Sequence, residues 1–73
     1  MTSRIVKRSL AIAGHQTSIS LEEAFWLDLK AAAARRGLSV AALVAEVDST
    51  RSDSNLSSAI RVFLLQEAKA GRS

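Results

Sequence analysis

The chain has 73 residues, a net charge of +3 and no cysteine, which excludes disulfides and thiolate metal sites and predicts one small domain. A single histidine removes most other metal sites, and a hydrophobic content of 48% argues against a disordered chain. Because a domain this small buries only about 60% of its unfolded surface, we expect a partner chain to complete its stability.

Several classes of protein are disfavoured by the same sequence. No apolar run approaches the ~20 residues of a membrane span, so we expect a cytoplasmic protein without a membrane partner. Enzyme chemistry has little support, because no base lies near a nucleophile and there is no phosphate-binding glycine loop. We predict no cofactor, no metal and no small-molecule ligand. The sequence pI of about 10.2 permits contact with nucleic-acid phosphates.

The chain begins with two segments in which apolar and polar residues alternate. The first covers about residues 6–13, and its period of two predicts a β-strand. A flexible basic arm over residues 4–13 is the alternative. Gly14 marks a turn, and residues 15–20 predict a second strand.

A hairpin with Gly14 in a two-residue loop would sort the side chains of both strands by face. The apolar face would hold Leu10, Ile12, Thr17 and Ile19. The polar face would hold Lys7, Ser9 and Ala11 beside Gln16, Ser18 and Ser20.

A first amphipathic helix is predicted directly after the second strand, over residues 21–36. Ser20 followed by Glu23 has the spacing of a capping box, so Ser20 is the expected N-cap. Gly37 follows two arginines and is the expected C′ residue that ends the helix.

Two further helices are predicted. One covers residues 40–50 with Ser39 as its N-cap. The other covers residues 56–69, with Asn55 or Ser54 as its cap. Its apolar residues extend beyond one face, which predicts contact both with its own domain and with a partner chain.

The order of strand, capped helix, Gly-x-Ser turn and helix resembles the ribbon-helix-helix family of repressors, with the Arc- and MetJ-type fold. The resemblance covers residues 16–48. It is carried by Thr17-Ser18-Ile19-Ser20-Leu21, Phe25, Leu29, Ala33, Gly37-Leu38-Ser39 and Leu43-Val44. Phe25-Trp26 and the segment Asn55–Phe63 also resemble a small bacterial branch of that family with an added C-terminal helix.

The resemblance implies a mostly α fold with a short β-ribbon and an intertwined homodimer or higher oligomer. The strands of two chains would pair antiparallel, and the ribbon would enter the major groove of double-stranded DNA. The dimer core would consist of Ile19, Leu21, Phe25, Trp26, Leu29, Leu43, Val44, Val47, Ile60 and Phe63. The expected function is that of a sequence-specific transcriptional repressor.

DNA contacts are expected from the outer ribbon face and from the start of the second helix. The expected base contacts are Gln16, Ser18 and Ser20. The expected phosphate contacts are Lys7, Ser9, Arg36, Ser39 and Val40. Glutamine can form two hydrogen bonds with adenine, and free N–H groups at a helix start suit an anion.

The outward strand positions depart from the family, in which they often carry Arg or Lys. Lys7 and Ser9 from an adjoining strand would compensate, or Arg4, Lys7 and Arg8 would if the segment is an arm. Because the ribbon face is neutral and the third helix is apolar, the alternative function is a protein-interaction or assembly module, or an antitoxin, with weak or no DNA binding.

Overall fold

The computed structural model describes residues 4–50 and 55–71. In chain order the elements are β1 (Ile5–Ile12), β2 (His15–Glu22), α1 (Glu23–Arg36), α2 (Val40–Thr50) and α3 (Leu56–Gly71). The two strands form an antiparallel ribbon that precedes the three helices. The predicted fold class, mostly helical with a short ribbon, an N-terminal strand and an extra C-terminal helix, is confirmed.

The ribbon is a hairpin within one chain, so the segment before the turn is a strand and not a flexible arm. The two loop residues, Ala13 and Gly14, have φ angles of 52° and 81°. Positive φ at both central residues is the requirement of a type I′ turn, whose twist matches that of the strands. The register pairs Ser9 with Ser18 and confirms the predicted separation into an apolar and a polar face.

Within one chain β2 pairs with β1 along one edge, so a ribbon built from two chains, as the resemblance implied, would use the other edge of β2. Because hydrogen-bonded pairs alternate along a hairpin, the backbone groups of Gln16, Ser18 and Ser20 point to the opposite edge of β2. At that edge the Ser20 N–H donates to Ser57 Oγ over 2.9 Å, and the Ser20 carbonyl accepts from Arg61 Nη2 over 3.2 Å. A second copy of β2 would have to displace both bonds.

The hydrophobic core lies between the inner face of the ribbon and the three helices. Its buried residues are Ile12, Ile19, Leu21, Leu29, Ala32, Ala33, Leu43, Val44, Val47, Leu56, Ile60 and Leu64. They recur with a period of two in β2 and at helical spacing in the helices, which are the periods that predicted these elements. Each large side chain buried in this way contributes roughly 1.5–3 kcal/mol to folding. One chain therefore forms a contiguous core by itself.

The predicted boundary between β2 and the first helix is wrong by two residues. Ser20 and Leu21 continue the strand, and α1 begins at Glu23. Glu22 is the N-cap, in an extended conformation (φ −60°, ψ 148°) and without a side-chain cap hydrogen bond. The Glu23 N–H, one of the donors that a helix start leaves unpaired, donates to the Arg4 carbonyl over 2.8 Å. The β-ladder thus satisfies the donor that a capping box with Ser20 would have served.

The end of α1 follows the prediction. Gly37 has a φ of 69°, and its N–H donates to the Ala34 carbonyl over 3.1 Å. The Leu38 N–H donates to the Ala33 carbonyl over 2.9 Å. This pair of bonds is a Schellman motif, which confirms Gly37 as the C′ residue.

The cap of α3 also follows the prediction, because Asn55 Oδ1 accepts the Ser58 N–H over 2.8 Å. The alternative cap, Ser54, lies outside the described residues. Two bounds differ slightly from those predicted. β1 begins and ends one residue earlier, since residue 13 belongs to the turn, and α3 extends two residues further, to Gly71.

Candidate nucleic-acid interface

The outer face of the ribbon consists of four cross-strand pairs. The pair of Ile5 and Glu22 lies next to α1, and three further pairs follow toward the turn. These three pairs are Lys7 with Ser20, Ser9 with Ser18, and Ala11 with Gln16. Of their six residues only Ser20 is half-buried, and the other five are exposed. Partners in such a pair lie about 5 Å apart, so each pair presents a joint surface. The fold thus brings the three predicted base-contacting residues together with Lys7 and Ser9.

The end of β2 is held in place by α3. Arg61 Nε donates to Glu22 Oε1 over 3.0 Å, in addition to the Arg61 and Ser57 bonds to the Ser20 backbone. The Arg61 guanidinium also lies 5.9 Å from the centre of the Phe25 ring. A hydrogen bond from its own backbone N–H and then the bond from Arg61 lower the pKa of the Glu22 carboxyl. These contacts fix the position of Ser20 on the outer face.

The first turn of α1 is also held by Arg8, which lies on the inner face of β1. Its Nη2 donates to Glu23 Oε1 over 3.0 Å, and its guanidinium carbon lies 4.2 Å from the centre of the Trp26 ring. Its Nη1 is buried and has no hydrogen-bond partner among the described residues. Arg8 therefore joins the ribbon to α1, and its charge is not presented to solvent as a basic arm would present it.

Arg36, a predicted phosphate contact, is held between α1 and α3. Its Nη2 donates to Glu67 Oε2 over 2.6 Å, and its guanidinium carbon lies 5.3 Å from the centre of the Phe63 ring. Arg8 and Arg61 have the same arrangement, so each of the three aromatic rings in the chain faces an arginine that also pairs with a glutamate. A phosphate contact by Arg36 would compete with Glu67.

The start of α2 offers unpaired backbone donors. Ser39 Oγ accepts the Ala42 N–H over 3.0 Å, which confirms Ser39 as the N-cap, and the Ser39 carbonyl accepts the Leu43 N–H. Within the described residues, the N–H groups of Val40 and Ala41 have no acceptor. Two free donors at the positive end of a helix dipole suit a phosphate oxygen.

Free positive charge is scarce on the ribbon. Over residues 4–50 and 55–71, the cations without an ion pair are Arg4, Lys7, Lys30, Arg35 and Lys69. Of these, Lys7 belongs to the polar pairs of the outer face. The face therefore carries the charge of Lys7 and the ion-paired carboxylate of Glu22 among neutral side chains, and not a continuous basic stripe.

The residues predicted for the dimer core lie in or against the core of the single chain. Seven are buried, namely Ile19, Leu21, Leu29, Leu43, Val44, Val47 and Ile60. The half-buried members are Phe25, Trp26 and Phe63, which pack against that core and contact the three arginines. Burial of the first seven thus needs no second chain.

Sequence reasoning missed the residues that attach the ribbon to the helices, namely Arg8, Ser57 and Arg61. For Arg8 a signal was present, because strand alternation placed it on the apolar face, where a charged residue needs a partner. Ser57 and Arg61 are four residues apart and share a helix face. Nothing local in the sequence identifies the edge of β2 as the surface that they contact.

The described ranges contain no helix that is both long and apolar enough to cross a bilayer. They also contain no group of three or more His, Cys, Asp or Glu side chains that could hold a metal ion.

Comparison with known proteins gives one match, to a family model described as a ribbon-helix-helix domain, over residues 5–68. The chain belongs to the ribbon-helix-helix family. The match includes both strands and most of α3, so the hairpin and the C-terminal helix are parts of the family domain. No curated protein and no solved structure matches the chain significantly. The ribbon-helix-helix fold is in general that of DNA-binding regulators, which supports a role of this general kind for the chain.

Proposed function

We propose that this ribbon-helix-helix protein is a sequence-specific transcriptional regulator that binds double-stranded DNA as a dimer. The observation that carries the proposal is the outer ribbon face, whose exposed polar side chains are aligned in register above a buried apolar face. Eight residues per strand give a ribbon of about 27 Å in length. Two strands together fit a major groove about 12 Å wide.

Base recognition depends mainly on Gln16 in this proposal. Its amide offers one donor and one acceptor, which match N6 and N7 of adenine. Ala11 lies directly opposite Gln16, and its methyl group can contact the methyl group of a thymine. The hydroxyls of Ser18 and Ser20 accept and donate, so they discriminate less between bases. We expect an A·T pair at the position that Gln16 contacts.

Phosphate contacts come from Lys7 and from the start of α2. Lys7 is exposed and has no ion pair in the described part of the chain. The free N–H groups after Ser39 can donate hydrogen bonds to a phosphate oxygen without adding a formal charge. Ser9 adds a hydroxyl beside Lys7, and Arg36 contributes only where it leaves Glu67.

The direct experiment is the selection of bound duplexes from a random pool. The protein should enrich one motif that contains an A·T pair, and Gln16→Ala should lose the preference at that pair alone. Gln66→Ala is the matched control, because Gln66 is also exposed but lies on α3. Absence of any enriched motif, or a motif that Gln16→Ala leaves unchanged, would contradict the proposed readout.

A second candidate function is a protein-interaction or assembly module, including an antitoxin. It is supported by exposed apolar side chains on two helices, namely Leu27 on α1 and Val62 and Leu65 on α3. A protein that associates through these residues but shows no duplex shift at micromolar concentration would fit this candidate and not the first.

A further inference from the structure

We infer that Glu67 on α3 limits the affinity of the chain for DNA by holding the Arg36 guanidinium away from the phosphates. The inference rests on the proposed function, and it names the residue that regulates one of the phosphate contacts. Glu67 itself contacts no DNA in this account. Removal of its charge therefore strengthens DNA binding only through the release of Arg36.

Arg36 lies directly before the unpaired backbone donors at the start of α2. It is the last residue of α1, and Gly37 turns the chain in the left-handed conformation toward Ser39. Three residues span at most about 11 Å, which limits the distance between the Cα atoms of Arg36 and Ser39. A phosphate oxygen bound by the N–H groups of Val40 and Ala41 would therefore lie close to a released Arg36 side chain.

The Arg36 guanidinium is held on α3 by two contacts. Its Nη2 donates to Glu67 Oε2 over 2.6 Å, and its carbon lies 5.3 Å from the centre of the Phe63 ring. Phe63 and Glu67 are four residues apart, so one face of α3 offers the ring and the carboxylate together. A hydrogen bond between two charged groups is also stronger than one between neutral groups. The packing of α1 on α3 thus directs the Arg36 charge to α3 and not to the start of α2.

Three arginines pair with a glutamate and an aromatic ring in the described residues, and Arg36 is the most exposed of them. Its side chain is 39% exposed, against 23% for Arg8 and 32% for Arg61. Arg61 also donates to the Ser20 carbonyl, whereas the bond to Glu67 is the one side-chain hydrogen bond of Arg36 in this part of the chain. Exposed ion pairs contribute little to stability. Loss of the Glu67 charge should therefore free the arginine and leave the fold intact.

Release of Arg36 matters because the outer ribbon face is poor in positive charge. Lys7 is the unpaired cation of that face within the described residues. A dimer presents each contact twice, so two free Arg36 side chains would add two phosphate contacts. Phosphate contacts carry no sequence information. Glu67 therefore lowers the affinity for every duplex and leaves the discrimination between duplexes to the ribbon.

The experiment measures binding of the full chain to a mixed-sequence duplex of about 20 base pairs, roughly two helical turns, over a range of salt concentrations. Glu67→Gln keeps the size of the side chain and removes its charge. Each phosphate contact contributes about 0.9 to the slope of log K against log salt, so two new contacts should make the slope steeper by about 2. At low salt the affinity should rise by about tenfold.

The matched control is Glu46→Gln, since Glu46 is an exposed glutamate without an ion pair in the described residues. Glu46 lies on α2, so the control removes the same charge from the helix whose start is expected to contact phosphate. Its slope should equal that of the original chain. Equal slopes for Glu67→Gln and Glu46→Gln would overturn the inference.

Arg36→Ala separates release of the arginine from any other effect of the Glu67 substitution. In the original chain it should leave the slope unchanged, because Arg36 does not contact DNA there. Combined with Glu67→Gln, it should abolish the whole increase in slope. A slope that becomes less steep with Arg36→Ala alone would also overturn the inference, since Arg36 would then contact phosphates in spite of Glu67.

Duplex binding by the original chain distinguishes failure of this inference from failure of the proposed function. If the original chain binds the duplex and Glu67→Gln has the slope of the control, only the inference is wrong. If neither the original chain nor any variant binds at low salt, with native circular dichroism, both are refuted.

Discussion

Replacing Ala13 by asparagine should stabilise the protein, because Ala13 has a φ of 52° in the hairpin turn. For an L residue the left-handed region costs roughly 1–2 kcal/mol, since Cβ approaches the following carbonyl oxygen. Asparagine tolerates this conformation better, and Asn-Gly is the preferred dipeptide of a type I′ turn. Ala13 is exposed, so the substitution changes no packing in the core.

The free energy of unfolding should rise by about 0.5–1 kcal/mol, which is the part of the cost of the left-handed conformation that asparagine avoids. For a domain of this size 1 kcal/mol corresponds to a rise of roughly 4–8 °C in Tm. Thermal unfolding followed by circular dichroism resolves such a shift. Urea unfolding gives the same free energy independently, provided that the slope with denaturant is unchanged.

The matched control is Ala11→Asn, two residues earlier and within β1. Ala11 is exposed as well, but it lies in β1 and has no positive φ. Asparagine is disfavoured in strands, so the control should be neutral or destabilising. If Ala13→Asn lowers Tm as the control does, the turn is not left-handed. If neither variant has any effect, the N-terminal segment is a flexible arm and the intrachain ribbon is refuted.

Three further substitutions test other contacts. Glu22→Gln should reduce the loss of stability in acid. Because the pKa of Glu22 is lowered, its carboxylate stabilises the fold above the ordinary value of 4.5, and this stabilisation is lost as pH falls through the lowered pKa. If urea unfolding at several pH values shows the same loss of stability in acid for Glu22→Gln as for the original chain, the result would contradict the hydrogen bonds to the Glu22 carboxyl from its own backbone N–H and from Arg61. Ser39→Ala should cost about 1 kcal/mol in urea unfolding by removing the N-cap of α2, and no loss would mean that the cap is absent. Leu29→Ala should lower the free energy of unfolding by about 2–5 kcal/mol in the same assay, and a loss below about 1 kcal/mol would contradict the burial of Leu29.

The elements of this fold were predictable because each has a local signal. Alternation gave the two strands, and Gly37 and Asn55 marked helix ends through hydrogen bonds that stay within a few residues. The boundary at Ser20 was not predictable in this way. The residue at which β2 ends and α1 begins depends on the hydrogen bond from the Glu23 N–H to the Arg4 carbonyl, and these two residues are far apart in the sequence.

The candidate site shows the same division. The hairpin register placed the polar side chains on one face, and that face was predictable once Gly14 was assigned to a two-residue loop. The charge of Arg36 appeared available for DNA because only the packing of α1 on α3 brings it to Glu67. Likewise the apolar pattern identified residues such as Leu43 as buried, but a pattern does not state which chain buries them.

The central claim is that the outer ribbon face contacts DNA, and the salt dependence of duplex binding by two lysine variants tests it most directly. Lys7→Ala and Lys30→Ala remove the same charge, one from the ribbon and one from α1, and neither lysine has an ion pair in the described residues. If Lys7 of both chains contacts phosphates, Lys7→Ala removes two phosphate contacts from the dimer. Each contact contributes about 0.9 to the slope of log K against log salt, so the slope should become less steep by about 2. Lys30→Ala should leave the slope unchanged. Equal slopes for both variants and the original chain, or no duplex binding at low salt, would contradict the claim.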